Sequence, residues 1–320
     1  MAFSGVALLK KGETWSMAKG LADRSNNRPN TVDSRFGIAS GSKIFTAIAI
    51  CQLVEEGKLT FEAKLSELLP KAFPNFEVTI HQLLTHTSGI PDYFDEEAAG
   101  GFEQVWTEHP MYLMKTPSDF LPLFQNRPMQ FEPGEKFQYN NAGFIALGLV
   151  IEKLTGMAFI NAVEERIFTR ADMNESGYFS LDRLPAQTAY GYIEEDGAWR
   201  TNQYAIPIQG GADGGAFVTA NDMLLFWERL MDYTLLSEEM TRSLLTAHVA
   251  LESEGYGYGV WIQTENESVV KYHLMGYDPG VSFHSAFYPK DGSILTILSN
   301  KSTGASEAMK LIEGQFLKAD

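Results

Sequence analysis

The chain is short of cysteine, short of positive charge and without long apolar runs, and each shortage removes a class of function. Its single cysteine, Cys51, allows no disulfide within the chain and no Cys-rich metal cluster. Set in an apolar stretch, that thiol reads as packing rather than chemistry. Lysine and arginine number 25 against 41 aspartates and glutamates, a formal charge of −16. A surface so acidic repels nucleic acid and anionic lipid, so no nucleic-acid partner is expected and the charge reads first as solubility. No apolar run approaches the ~20 residues that span a bilayer. The N-terminus, MAFSGVALLKKGETW, lacks the basic-then-apolar order of a signal peptide. As it stands the chain is expected to be cytoplasmic; a trimmed form of a periplasmic or extracellular protein would read the same. The six histidines, His81, His86, His109, His248, His273 and His284, show no H-E-x-x-H or other paired ligand spacing, so neither a metal nor a cofactor is expected. There is no G-x-S-x-G elbow, which argues against an α/β-hydrolase. The GGADGG run at 210–215 lacks the Lys-Ser/Thr of a phosphate loop and reads as a flexible turn beside a pocket. Asp92, Asp95, Glu96 and Glu97 read as a solvated acidic loop.

What is present is an ordinary globular composition, 44% hydrophobic and 21% charged over 320 residues, with no internal repeat. Both ends alternate like strands. Ser4–Leu9 and Glu13–Ala18 flank a Lys11-Gly12 turn; Tyr256–Gln263 and Val269–Leu274 follow late in the chain. Ser282–Tyr288 and Ser293–Leu298 then flank Asp291-Gly292, a strong hairpin signal. A closing helix is expected over about Gly304–Leu317. The middle is helical. Ser40–Glu56 is apolar nearly all round, which places it at the centre of a domain, with Gly57 as its stop. Thr79 and Gln82 form a capping box; Asn141 precedes a helix Ala142–Leu154 ended by Gly156. Thr219 and Asp222 box the start of Met223–Met231, and Ser237 opens one more helix. A small hairpin is expected around Thr188–Glu194 with a turn at Asp196-Gly197. The expectation is one α/β (α+β) domain over 1–320. Its antiparallel sheet, with flanking helices, is built from residues 1–39 and 255–320, and a mainly helical region, 40–254, is inserted between them.

Chemistry gathers at Ser40-Gly41-Ser42-Lys43. A serine hydroxyl needs a partner to take its proton, and on a helix Lys43 lies one turn from Ser40, on the same face. The helix N-terminus adds positive potential near a developing oxyanion, and burial in so apolar a helix favours a neutral lysine. Ser42 is the other serine available, but its i+3 neighbour is Phe45, which does no proton chemistry. Tyr139-Asn140-Asn141 offers a phenol and an amide at a loop-to-helix junction: either a proton relay to Ser40 or a core tyrosine beside an N-cap asparagine.

These stretches together resemble class C β-lactamase-related proteins, the superfamily of low-molecular-weight penicillin-binding proteins, D-aminopeptidases and family VIII esterases. The resemblance rests on FGIASGSKIFTAIAICQLVEEGKLTFEAKLSELLP, LLTHTSGIPDY, FEPGEKFQYNNAGFIALGLVIEKLTG and GGADGGAFVTANDM, in that order, from about Gly5 to Phe316. It implies the β-lactamase/transpeptidase-like fold, Ser40 as the acylated serine, Lys43 as its base partner, and Tyr139 and Asn141 as the Tyr and Asn of Y-x-N. It implies that His86, Ser88, Gly89 and Pro91 form a shared structural loop, and that backbone N–H groups of Ser40 and Tyr277 make the oxyanion hole. The third motif departs from the pattern. Counting back from Asp278-Pro279-Gly280, the Lys-Thr-Gly or His-x-Gly positions read Leu274-Met275-Gly276, with His273 one residue early. A one-residue slip turns His273 to the opposite face unless a bulge restores it, so it is either a shifted motif residue or a bystander. Without a lysine there, efficient attack on penicillins or D-Ala-D-Ala is in doubt. The resemblance implies a serine hydrolase acting through an acyl-enzyme on a small-molecule, peptide or ester substrate. The alternative is a penicillin-binding or cell-wall-fragment-binding protein with little turnover. Nothing in the sequence specifies an oligomeric state.

Overall fold

The computed structural model describes residues 3–94 and 102–317. Its spine is an eight-stranded sheet in which every neighbouring pair is antiparallel. The spatial order runs Glu13–Lys19, Gly5–Lys11, Ser293–Ser299, Val281–Tyr288, Ser268–Asp278, Trp261–Glu265, Gly255–Tyr256 and Val249–Ala250. The two chain ends meet in register, Gly5 opposite Ser299 and Lys10 opposite Ile294. Alternation in GVALL explains why this strand can be central: Val6 and Leu8 face one hydrophobic core, Ala7 and Leu9 the other. The second core is capped by the closing helix Ala305–Ile312.

The first core surrounds the helix Lys43–Glu55, whose residues from Lys43 to Leu53 are all buried. That helix is shorter than the sequence suggests, because residues Ala39–Ser42 form a tighter 3₁₀ turn ahead of it. Four other boundaries also move. The strand expected over Tyr256–Gln263 is two pieces, Gly255–Tyr256 and Trp261–Glu265. The sheet begins before residue 255, at Val249. The helix expected from Met223 starts at Ala220, capped by Thr219. The helix Asn141–Thr155 is capped by Asn140, not Asn141, and ends at Gly156 in a left-handed conformation. Cys51 is buried, and burial pushes its thiol pKa up. Among the described residues no single helix is long and apolar enough to cross a membrane.

Candidate active site

Ser40 sits in the 3₁₀ turn, held from both sides. Ala39 carries a positive φ of 45°, a conformation costly for a residue with a Cβ, and its neighbours fix it. The Ser42 hydroxyl donates to the Ala39 carbonyl at 2.8 Å and accepts from the Ala216 N–H at 2.9 Å. Ser42 is therefore fully buried and occupied with the turn itself. The GGADGG run is not a loose turn but is zipped onto this segment. Gly215 N–H donates to Ala39 O at 3.1 Å, Ile38 N–H to Ala216 O at 2.9 Å, and the Thr46 hydroxyl to Ala212 O at 2.6 Å.

Lys43, 2% exposed, brings the separate segments together. Its Nζ lies 3.0 Å from Ser40 Oγ, 2.8 Å from Asn141 Oδ1 and 2.6 Å from the Asp213 carbonyl oxygen. The Tyr139 ring centre is 4.9 Å from the same nitrogen. Asn141 can face Lys43 because capping falls to its neighbour: Asn140 Oδ1 accepts the Gly143 N–H at 2.7 Å.

His86 holds the Tyr139 segment. Its carbonyl accepts the Gln138 N–H at 2.9 Å, its Nδ1 accepts the Asn140 N–H at 3.0 Å, and its ring lies 4.3 Å from that of Tyr139. With Nδ1 an acceptor, the imidazole proton sits on Nε2, 3.0 Å from the Tyr256 hydroxyl. Burial holds the His86 pKa well below the ordinary imidazole value, so it is a neutral support.

Two acidic residues belong here that the sequence did not mark. Asp213 is buried, and its carboxyl takes the Tyr93 hydroxyl. Asp92, read from the sequence as solvated, instead accepts the N–H groups of Asn141 and Ala142 at 2.7 and 2.9 Å. Burial pushes its carboxyl up to about 7, against the pull of those hydrogen bonds. Asp95, Glu96 and Glu97 lie outside the described residues.

The strand Ser268–Asp278 runs past Ser40. Its register against Val281–Tyr288 is unbroken from Tyr272 to Asp278, so no bulge rescues His273. Lys271 and His273 share one face. Lys271 pairs with Glu313 of the closing segment at 2.7 Å; His273 Nε2 meets Glu254 at 2.9 Å and stacks on His284. His273 is thus a buried residue of the sheet's other side, and its candidacy as a substrate-binding residue is corrected on that ground. Leu274 faces the central core at 2% exposure. Gly276 allows contact: a Cβ there would stand 2.0 Å from Ile38 O and 2.8 Å from Gly41 N. Tyr277 lines the cleft.

That cleft, of about 770 Å³, holds Ser40, Asn141, Asp213 and Tyr277 among walls that include Phe120 and Phe217. Among the described residues no three metal-ligating side chains come together.

The sequence matches the Beta-lactamase family over residues 2–319. It is 32% identical to penicillin-binding protein 4* of Bacillus subtilis, across 93% of this chain and 68% of that one. The crystal structure of a penicillin-binding protein from Bacillus halodurans superposes with a TM-score of 0.95 at 56% identity, covering 98% of this chain and 97% of that one. A D-stereospecific amidohydrolase from Streptomyces sp. superposes with a TM-score of 0.82 at 25% identity, covering 99% and 94%. In sequence and in fold, over nearly its whole length, this chain belongs to the Beta-lactamase family of hydrolases.

Proposed function

We propose that the protein is a serine hydrolase that acylates Ser40 with an ester or amide substrate and releases the acyl group to water. The observation that carries this reading is the set of three oxygens around Lys43 Nζ. Asn141 Oδ1 and the Asp213 carbonyl oxygen can only accept, so they take two N–H groups. As an amine, Lys43 then turns its lone pair to Ser40 Oγ, 3.0 Å away, within reach for proton transfer.

Ser40 Oγ attacks the carbonyl carbon and its proton passes to Lys43. The tetrahedral oxyanion is met by the backbone N–H groups of Ser40 and Tyr277. The direction of the second follows from hairpin parity. Asp278 and Val281 flank the two-residue turn and exchange hydrogen bonds, as do Gly276 and Phe283, so Tyr277 between them turns its N–H away from that partner strand. The leaving group departs with a proton relayed through Lys43 and Tyr139. Water then attacks the acyl carbon, and the Ser40 Oγ–carbon bond breaks as the hydroxyl recovers its proton.

The cleft favours a bulky substrate without a carboxylate. Its walls include Phe120, Phe179 and Ile206, its charged lining includes Asp213 and Asp278, and Arg200 lies 3.8 Å from Glu195. The third-motif position that would hold a carboxylate is filled by buried Leu274. The likeness to a D-stereospecific amidohydrolase supports an amide of D configuration among such substrates. The penicillin-binding relatives support a second reading, slow or stoichiometric acylation without turnover.

Time-resolved intact-protein mass spectrometry with a p-nitrophenyl short-chain ester, nitrocefin and a penicillin separates the two. Many equivalents of p-nitrophenol and a transient or absent penicillin adduct are expected. A stable single adduct without turnover would establish the second reading. Labelling that survives Ser40→Ala would remove the nucleophile assignment.

A further inference from the structure

Two consecutive residues, Asp92 and Tyr93, each hold one of the two acceptors on Lys43. Asp92 Oδ2 takes the Asn141 N–H at 2.7 Å and Oδ1 takes the Ala142 N–H at 2.9 Å, groups that a helix start leaves without internal partners. That bidentate grip fixes the backbone from which Asn141 extends Oδ1 to Lys43. Tyr93 reaches the other way, its hydroxyl donating to the Asp213 carboxyl. The run that carries Asp213 is pinned to the Ser40 segment on either side of it, at Ala212 and Gly215, and the Tyr93 tether adds a hold at Asp213 itself, which sets the aim of its carbonyl.

We infer that Asp92 and Tyr93 form a two-armed brace that positions the Lys43 amine toward Ser40. They are positioning residues: Asp92 does not face the substrate, and Tyr93, although it lines the cleft, acts here through Asp213. The inference rests on the reading of Lys43 as the base for Ser40. An amine nitrogen is free to rotate on its last carbon bond, and two fixed acceptors remove that freedom. With one arm cut, the amine spends less time with its lone pair on Ser40 Oγ, and the reactive geometry becomes rarer. The segment itself is anchored. Arg127 Nη1 donates to the Asp92 carbonyl at 3.1 Å, and Asn140 Nδ2 to the Ile90 carbonyl at 2.8 Å.

The test is a double-mutant comparison on the full chain, reading the rate of Ser40 labelling by a fluorophosphonate and the steady-state constants for a neutral p-nitrophenyl ester. Tyr93→Phe and Asp92→Asn are each made with Lys43 present and in a Lys43→Ala background, whose slow labelling is followed over hours. With Lys43 present, each variant is expected to slow acylation roughly tenfold while KM stays within about twofold. In the Lys43→Ala background each is expected to cost nothing further, because the group they aim is gone.

The brace is overturned if the same loss appears with and without Lys43, which would mean general structural damage. It is equally overturned if neither variant slows labelling, or if Tyr93→Phe raises KM alone. Should Asp92→Asn fail to fold, Tyr93→Phe, which keeps the ring, decides the matter. Labelling that persists in Ser40→Ala overturns the hydrolase reading and the brace with it, a result distinct from the others.

Discussion

At the scale of single residues, the tightest glycine contact beside the Ser40 turn is that of Gly276. A methyl group there collides with Ile38 O at 2.0 Å, so Gly276→Ala must push the strand away from the Ser40 turn. Acylation is expected to fall roughly tenfold or more, since reacting groups displaced by an ångström lose the attack geometry. Fluorophosphonate labelling alongside a melting curve checks this, and an unimpaired rate would show that the strand does not shape the site. Asp92 gives a pH signature. Its carboxyl moves from an ordinary 3.8 to about 7, so across that window the folded chain holds a proton that the unfolded chain releases. The sign follows: its contribution to stability falls as pH rises from about 4 to about 7 and is lowest above that. The stability advantage of wild type over Asp92→Asn, measured by urea unfolding, is therefore expected to shrink between about pH 4.5 and pH 8. A difference independent of pH would mean that Asp92 does not titrate there. Ser40 and Lys43 were legible because a helical i, i+3 spacing is local. Asp92 and Asp213 were not: one works through burial, the other through its backbone carbonyl, and neither leaves a mark in a window of neighbouring residues. The position of Asp92 right after the His86–Pro91 loop was the one available signal, since that segment is held against the start of the Asn141–Thr155 helix.

At the scale of elements, register and capping decide which side chains can meet. His273 shows the rule: strand alternation is strict, so one residue of offset places it with Lys271 and His284, away from Ser40. His273→Leu is expected to leave Ser40 labelling within about twofold while lowering the urea midpoint, since Glu254 loses its hydrogen-bonded partner. A collapse of labelling would place a real functional group on that face. The Asn141–Thr155 helix shows the second rule. Both asparagines can cap, and composition alone does not choose; the choice comes from His86 and Ile90, which hold Asn140 by its N–H and its amide. Asn140→Ala is expected to cost about 1–2 kcal/mol of stability as a lost cap, and to slow acylation as Asn141 shifts. The terminal hairpins and the closing helix were readable because turns and periodicity are local. The break at 257–260 was not, because the alternation of aromatic and small residues runs straight through a chain reversal: the two pieces pair antiparallel, Tyr256 opposite Trp261, with Gly259 at a positive φ between them.

At the scale of the whole molecule, the acidity that first argued against nucleic acid bears on substrate choice. A net charge of −16 repels anions over a distance set by salt, while Asp213 and Asp278 act from within the cleft. The two effects separate by ionic strength. The screening length shrinks from about 30 Å at 0.01 M to about 3 Å at 1 M, which removes the field of the distant surface but not that of a carboxylate beside the bound substrate. A matched pair of p-nitrophenyl esters, one bearing an amine and one a succinyl carboxylate, is the probe. At low salt kcat/KM is expected to favour the amine-bearing ester, with the preference falling as salt rises and levelling at a residual value above one. The part lost reports the surface charge; the part that remains reports the cleft. A preference that vanishes in high salt would assign all selectivity to long-range steering and leave Asp213 and Asp278 without a role in recognition. A preference for the carboxylate at any salt would mean that the cleft holds a substrate anion despite Leu274, and the charge reading of the site would fall.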